Sequence, residues 1–235
     1  MDRYDRGLIE GTPGSAPIVK ICGLQAASHA QAAADAGANL LGFILAPSRR
    51  RVSPEDVRRI RASLQRRERS PKLVGVFVNE EASTINRAVM DVGLDAVQLS
   101  GDEEPAIIDE LSVPVIKALR LPVEFSETEL LRSADVWFAR SNRVAMLLVD
   151  GHAPGMYGGA GVLANWTAAA VLARRYPVLL AGGLNRDNVG AAIAEVGPTG
   201  VDVSSGVEAA GVKQPRMIAD FIGAARASRP EASAG

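Results

Sequence analysis

Eight short apolar runs alternate along the chain with segments of helical periodicity, and few folds accept that order. The runs are Ile18–Cys22, Leu40–Leu45, Leu73–Val78, Ala96–Ser100, Val113–Leu119, Val144–Asp150, Val178–Gly182 and Gly200–Ser204. Most are rich in Val, Ile and Leu, the composition of strands covered on both faces. Between them, helices are expected over Ala26–Ala36, from Pro54 onward, and over Glu80–Val92, Glu103–Leu111, Glu124–Arg132, Ala164–Arg175, Arg186–Val196 and Pro215–Arg226. Their ends carry recognisable chemistry. Ser53-Pro54-Glu55-Asp56 supplies an N-cap hydroxyl, a proline at the first helical position and two carboxylates against the helix dipole. Gly37 and Gly93 stand where two helices should stop.

Strand–helix alternation demands parallel strands joined by right-handed crossovers. A doubly wound open sheet also uses it. Eight units within a 235-residue chain, with no long insert and no linker, fit a closed barrel better. The expected fold class is therefore α/β, a single (β/α)8 TIM barrel over residues 18–227. Residues 1–17 are expected to be a disordered leader and 228–235 a disordered tail, both being polar and rich in small residues.

Composition excludes several function classes. A formal net charge of -1 gives no electrostatic footprint for nucleic acid or an anionic membrane. A single cysteine excludes an internal disulfide framework and a cysteine-rich zinc site. The two histidines, His29 and His152, have no metal-ligand spacing, so no metal is expected. No apolar run is long enough for a membrane span, and no secretory h-region opens the chain. A cytoplasmic protein, monomeric or homodimeric, is expected.

In such a barrel the active site forms at the carboxyl ends of the strands. Cys22 ends the first strand, and Lys20, two residues earlier, shares its face. Asp150 ends the sixth; Lys117 lies near the end of the fifth; Asp202 and Ser204 share a face of the eighth. Each also has a structural explanation. Cys22 can be a small core residue, and Lys20 and Lys117 can neutralise Asp150 and Asp202 inside the barrel. A cap role for Asp150 is disfavoured, since Gly151 follows and no helix is expected before Ala164. Ala181-Gly182-Gly183-Leu184-Asn185 follows strand seven, and Val203-Ser204-Ser205-Gly206-Val207-Glu208 follows strand eight. Glycines let backbone N–H groups approach an anion, and barrels often bind phosphate at these two loops. Gly182, Gly183, Ser204, Ser205 and Gly206 are thus the candidate phosphate ligands, and the expected partner is a small phosphorylated molecule. In Arg49-Arg50-Arg51, after strand two, one arginine can turn inward to clamp an anion. Gly151–Gly161 has the composition of a lid. Trp137 and Trp166 are expected to be packing residues.

These segments resemble the phosphoribosylanthranilate isomerase family in order and spacing. The resemblance rests on Lys20-Ile21-Cys22-Gly23, Ser48-Arg49-Arg50-Arg51-Val52-Ser53, Val74-Gly75-Val76-Phe77-Val78-Asn79, Val97-Gln98-Leu99, Val115-Ile116-Lys117-Ala118, Leu148-Val149-Asp150, Gly158-Gly159, Ala181-Gly182-Gly183-Leu184, Asn188-Val189 and the run Val201–Glu208. It implies an aldose–ketose isomerase of tryptophan biosynthesis that performs an Amadori rearrangement without cofactor. Asp150 would be the general acid and Cys22 the general base. Arg50 would contact the anthranilate carboxylate, and Lys20, Ser100 and Asp202 would contribute to substrate binding. Three positions depart from the family pattern: Ser100 stands where a histidine is usual, Ala160 where a hydroxyl residue is usual, and Gln214 where an aspartate follows Lys213. They leave open a paralogue acting on another N-glycosylamine phosphate, or a barrel that binds phosphate ligands without turning them over.

Overall fold

A computed structural model describes Leu8 and residues 16–64, 70–120, 125–151 and 164–228. Eight strands form a closed parallel barrel: β1 (Ile18–Cys22), β2 (Leu40–Ile44), β3 (Lys72–Phe77), β4 (Ala96–Leu99), β5 (Val115–Arg120), β6 (Val144–Asp150), β7 (Val178–Leu180) and β8 (Gly200–Val203), with β8 returning to β1. Among the described residues, seven α-helices follow the strands: α1 (Ala27–Ala36), α2 (Pro54–Ser63), α3 (Ala82–Val92), α4 (Glu127–Arg140), α5 (Trp166–Ala173), α6 (Val189–Val196) and α7 (Pro215–Ala227). Among the described residues, no helix is long and apolar enough to cross a membrane.

Strand parity sorts the apolar side chains into two cores. Ile18, Leu40, Val74, Ala96, Ile116, Met146, Leu148 and Leu179 fill the barrel, while Val19, Ile21, Leu41, Phe43, Val97, Leu99, Val115 and Leu147 belong to the larger cluster shared with the helices. Leu8, within the stretch expected to be a leader, is buried with the inner cluster. Trp137 on α4 is buried in the outer core, whereas Trp166 packs against it only partly buried.

Where the elements differ from expectation, local chemistry explains it. Helix Glu103–Leu111 is instead a 3-10 turn over Pro105–Glu110, because the Glu103 carboxylate is turned inward, accepting hydrogen bonds from the backbone N–H groups of Asn79 and Gly101 and from Lys117. Strand β5 begins after Pro114, which has no N–H to donate. Helix α4 starts later and runs further than Glu124–Arg132; Ser126 caps it by accepting from the Glu129 N–H, and Leu130, Ala134 and Trp137 continue its buried stripe. Helix α6 starts at Val189 because the Asn185 side chain accepts from the N–H groups of Asp187 and Asn188, which holds those residues in a turn. Ser53 and Asp56 form the reciprocal cap that opens α2.

Lys117 does not enter the barrel. Ile116 and Ala118 take the inner face of β5, so Lys117 points out, donating to Glu103 at 2.6 Å and to the Gly101 carbonyl at 2.8 Å, with its ammonium 4.8 Å from the Trp137 ring centre. It therefore neutralises neither Asp150 nor Asp202.

Candidate active site

At the carboxyl ends of the strands lies a cavity of about 670 Å³, a size that suits a small organic ligand. Cys22 from β1, Arg50 from the loop after β2, Gln98 from β4 and Ser100 just after it, Asp150 from β6, Gly182 and Gly183 after β7, and Asp202, Ser204 and Ser205 from β8 and its loop all line it. Strand order brings together groups separated by up to 183 positions in sequence.

Lys20 stands in register with Asp202 and donates to its Oδ1 at 3.0 Å. Lys20 is fully buried and does not line the cavity, whereas its partner Asp202 does, so the lysine lies in the floor beneath Cys22 and Asp202 faces the cavity. Gly42, in register with Cys22 on β2, makes room for this arrangement. A Cβ there would lie 2.8 Å from the Cys22 sulfur and 3.1 Å from the Lys20 ammonium. Burial pushes the Cys22 thiol up, the Lys20 ammonium pulls it down, and the Asp202 carboxylate pushes it up again; the net direction is upward. Lys20 itself loses from burial, but Asp202 and Cys22 outweigh that loss and raise its pKa. The cation is therefore present beside the thiol, as expected, yet it does not bring the thiol below its ordinary value.

The Arg50 guanidinium is gripped by Glu208, with Nε 2.6 Å from Oε1 and Nη2 2.8 Å from Oε2. Two of the five N–H donors of a guanidinium are thereby used, and the group is fixed at the cavity wall. Lys213 donates to Glu208 at 2.7 Å and to the Ser204 carbonyl at 2.9 Å. No local pattern in the sequence marks Glu208 or Lys213 as part of the site, although an arginine turned into a cavity wall calls for a buried acid. Burial pushes the Glu208 carboxyl up, but the hydrogen bonds from Arg50 and Lys213 more than offset it and hold it at about 2. Glu208→Gln is expected to lower the Tm at neutral pH. The sign follows from the depressed value: the stabilisation is present above the ordinary 4.5 and is lost as the pH falls towards about 2. The Tm gap between variant and wild type should narrow over that range in a melting series; a gap independent of pH would mean the carboxylate charge is not what Arg50 and Lys213 require.

Gly182 and Gly183 both have positive φ, +82° and +60°, a backbone region other residues reach only with strain. That is why β7 stops at Leu180. Asn188 pins the loop, donating to the Gly183 carbonyl and accepting from the Asn185 N–H. The N–H groups of Gly182, Gly183, Ser205 and Gly206 make no hydrogen bond to a backbone carbonyl among the described residues. Gly206 does not itself line the cavity. A Cβ there would sit 1.9 Å from the Leu184 carbonyl oxygen, so its lack of a side chain lets the two loops close on each other. The Ser204 hydroxyl donates to the Cys22 carbonyl and accepts from Lys213.

Asp150 is half-buried, and its Oδ1 accepts from the Gly151 N–H at 2.8 Å. His152, Gly158-Gly159, Ala160 and the expected lid beyond Gly151 lie outside the described residues.

A model of the N-(5'phosphoribosyl)anthranilate isomerase family matches residues 19–224, nearly the whole barrel. The chain belongs to this family. An N-(5'-phosphoribosyl)anthranilate isomerase of Roseiflexus sp. (strain RS-1) is 47% identical over 215 residues, which is 89% of this chain and 98% of that protein. The crystal structure of phosphoribosyl anthranilate isomerase from Thermotoga maritima, 35% identical, superposes with a TM-score of 0.77 over 90% of this chain and 99% of that one. Another phosphoribosyl anthranilate isomerase, 34% identical, was crystallised with reduced 1-(o-carboxyphenylamino)-1-deoxyribulose 5-phosphate and gives a TM-score of 0.74, again over 90% and 99% of the two chains. Phosphoribosylanthranilate isomerases are thus the relatives of this chain in sequence and in fold alike, and the TIM barrel expected from strand–helix alternation is the architecture it shares with them.

Proposed function

We propose that the chain converts N-(5'-phosphoribosyl)anthranilate to 1-(2-carboxyphenylamino)-1-deoxyribulose 5-phosphate, the aldose–ketose isomerisation of tryptophan biosynthesis, with Asp150 as general acid and Cys22 as general base. The observation that carries this reading is that one cavity holds a carboxyl group and a thiol on strands three steps apart around the ring, with two glycine loops between them at its rim. The Asp150 carboxylic acid protonates the ribose ring oxygen. The C1–O bond breaks, and the nitrogen lone pair forms the C1=N bond of a Schiff base. The Cys22 thiolate then takes the C2 proton, and that electron pair moves into C1=C2 and neutralises the nitrogen. The resulting enolamine tautomerises, losing the proton of the C2 hydroxyl and gaining one at C1. The sequence is redox-neutral overall and needs groups on two sides of the sugar.

Phosphate is held by the N–H groups of Gly182, Gly183 and Ser205, with Gly206 letting the two loops close around it, and the donors of Arg50 not used by Glu208 meet the anthranilate carboxylate. Asp202 meets the substrate from the cavity floor, and Lys20 contributes from below by holding Asp202 beside Cys22. The chain acts in this reading as a monomer or a homodimer.

The test is turnover of phosphoribosylanthranilate by the purified protein, together with rescue of a tryptophan auxotroph lacking this step. Gly183→Asp is included as the binding control. Its carboxylate would repel the phosphate from a loop where φ is +60°, so KM should rise at least tenfold, about 1.4 kcal/mol. No turnover by the wild-type protein would end the reading, and an unchanged KM in Gly183→Asp would move the phosphate elsewhere.

A further inference from the structure

The wall of the cavity opposite the phosphate loops holds a polar group that no step of the isomerisation uses. Gln98 occupies the inner face of β4, between Ala96 below and Ser100 above. It is in register with Val76 on β3 and Ile116 on β5, and Val76, Val78, Ala118 and Leu148 line the cavity with it. Its Nε2 donates to the Ser100 hydroxyl at 2.9 Å. Its Oε1 is buried and has no hydrogen-bond partner among the described residues. Gln98 is 6% exposed and Ser100 8%, so water can satisfy this oxygen only by entering the cavity. An unpaired carbonyl in an apolar wall is destabilising and is retained where a ligand supplies the donor.

Strand order says which part of a ligand reaches it. In a closed ring of eight, β4 is four steps from β8 in either direction. A ligand whose phosphate sits on the loops after β7 and β8 turns its sugar–amine end towards β4. We propose that Gln98 is a specificity-determining residue whose Oε1 accepts a hydrogen bond from that end, from a sugar hydroxyl or from the arylamine N–H. Ser100 is the positioning residue. By accepting from Nε2 its hydroxyl fixes the amide so that the oxygen is left for the ligand. A serine where the family pattern has a larger imidazole thus supports a neutral acceptor in place of a titratable ring. The assignment rests on the phosphate placement proposed above.

The experiment compares wild type, Gln98→Met and Ser100→Ala by steady-state kinetics with phosphoribosylanthranilate, and by binding of reduced 1-(o-carboxyphenylamino)-1-deoxyribulose 5-phosphate and of ribose 5-phosphate. Gln98→Met keeps the length of the side chain and removes the acceptor. It should weaken binding of the reduced analogue about 2- to 12-fold, the range of one neutral hydrogen bond, and raise KM more than it lowers kcat. Its Tm should hold or rise, since an unpaired buried carbonyl has been replaced by an apolar group; a merely structural glutamine would show a lower Tm and unchanged binding. Equal weakening for ribose 5-phosphate identifies a sugar hydroxyl as the donor, and weakening confined to the reduced analogue identifies the N–H. Ser100→Ala should move affinity in the same direction by a smaller factor. Unchanged affinity of Gln98→Met for both ligands would overturn the proposal, whether or not the wild-type protein turns over phosphoribosylanthranilate, because the binding arm does not depend on catalysis.

Discussion

Cys22→Ala is expected to lower kcat by about 10²–10⁴-fold, the usual contribution of a general base, with KM little changed. A base acts only as the proton moves, so its removal is felt in the transition state and not in ground-state binding. Cys22→Ser should be nearly as poor, because a serine hydroxyl fills the same space but ionises far less readily. The stability of either variant should stay near that of wild type, since the thiol is small and Lys20 keeps its bond to Asp202. The pH profile separates this role from a packing role. With the thiol raised above its ordinary 9.0, principally by burial, kcat/KM of the wild type should climb on the alkaline side as the thiolate forms, and that limb should vanish in Cys22→Ser. Alkylation by iodoacetamide should be slow at neutral pH, accelerate over the same range and be blocked by the reduced product analogue. A Cys22→Ala enzyme with wild-type kcat would leave the thiol a core residue and the mechanism without its base.

The barrel was legible because two periodicities survive in the sequence. Buried parallel strands stand out as short β-branched runs, and the amphipathic segments between them have helical spacing. Boundaries failed where a single residue decides them: Pro114 delays β5, the Asn185 turn delays α6, and Gly182 ends β7 early. The direction of Lys20 was legible because Cys22, two residues on, fixes its face. The direction of Lys117 was not. A strand apolar on both sides carries no signal of which face is inside, and only the packing of Ile116 and Ala118 settles it.

Partners distant in sequence were hidden for a different reason. Arg50 and Glu208 are 158 positions apart, and no local pattern joins them until the barrel closes β1 on β8. The floor of the site has the same origin. Lys20 and Asp202 were each visible as charged residues on the inner face of a strand, but their pairing depends on the register between the first and last strands. The orphaned oxygen of Gln98 was invisible in principle, because a missing partner is a property of the surroundings and not of the residue.

Asp150→Asn should be as damaging as loss of the thiol, with kcat down about 10²–10⁴-fold, and here the substitution keeps the shape of the side chain. The Asp150 carboxylate accepts from the Gly151 N–H at 2.8 Å, and an asparagine carbonyl oxygen accepts the same bond in the same shape. The Tm should therefore lie within about 2 °C of wild type. What asparagine lacks is a proton it can release to the ring oxygen, so ring opening slows while the bound sugar keeps its place. Affinity for the reduced product analogue, which has no ring to open, should be retained. The double variant Cys22→Ala/Asp150→Asn adds a second discrimination. Acid and base serve successive steps on one path, so with both removed the loss should fall well short of the product of the single losses, as it does for groups that act as a unit. The measurement is steady-state kinetics of the two single variants and the double variant on phosphoribosylanthranilate, with analogue binding in parallel. An Asp150→Asn enzyme that keeps wild-type kcat would show that the carboxyl only fixes the Gly151 turn, and the proton for ring opening would then have to come from another group at the cavity mouth.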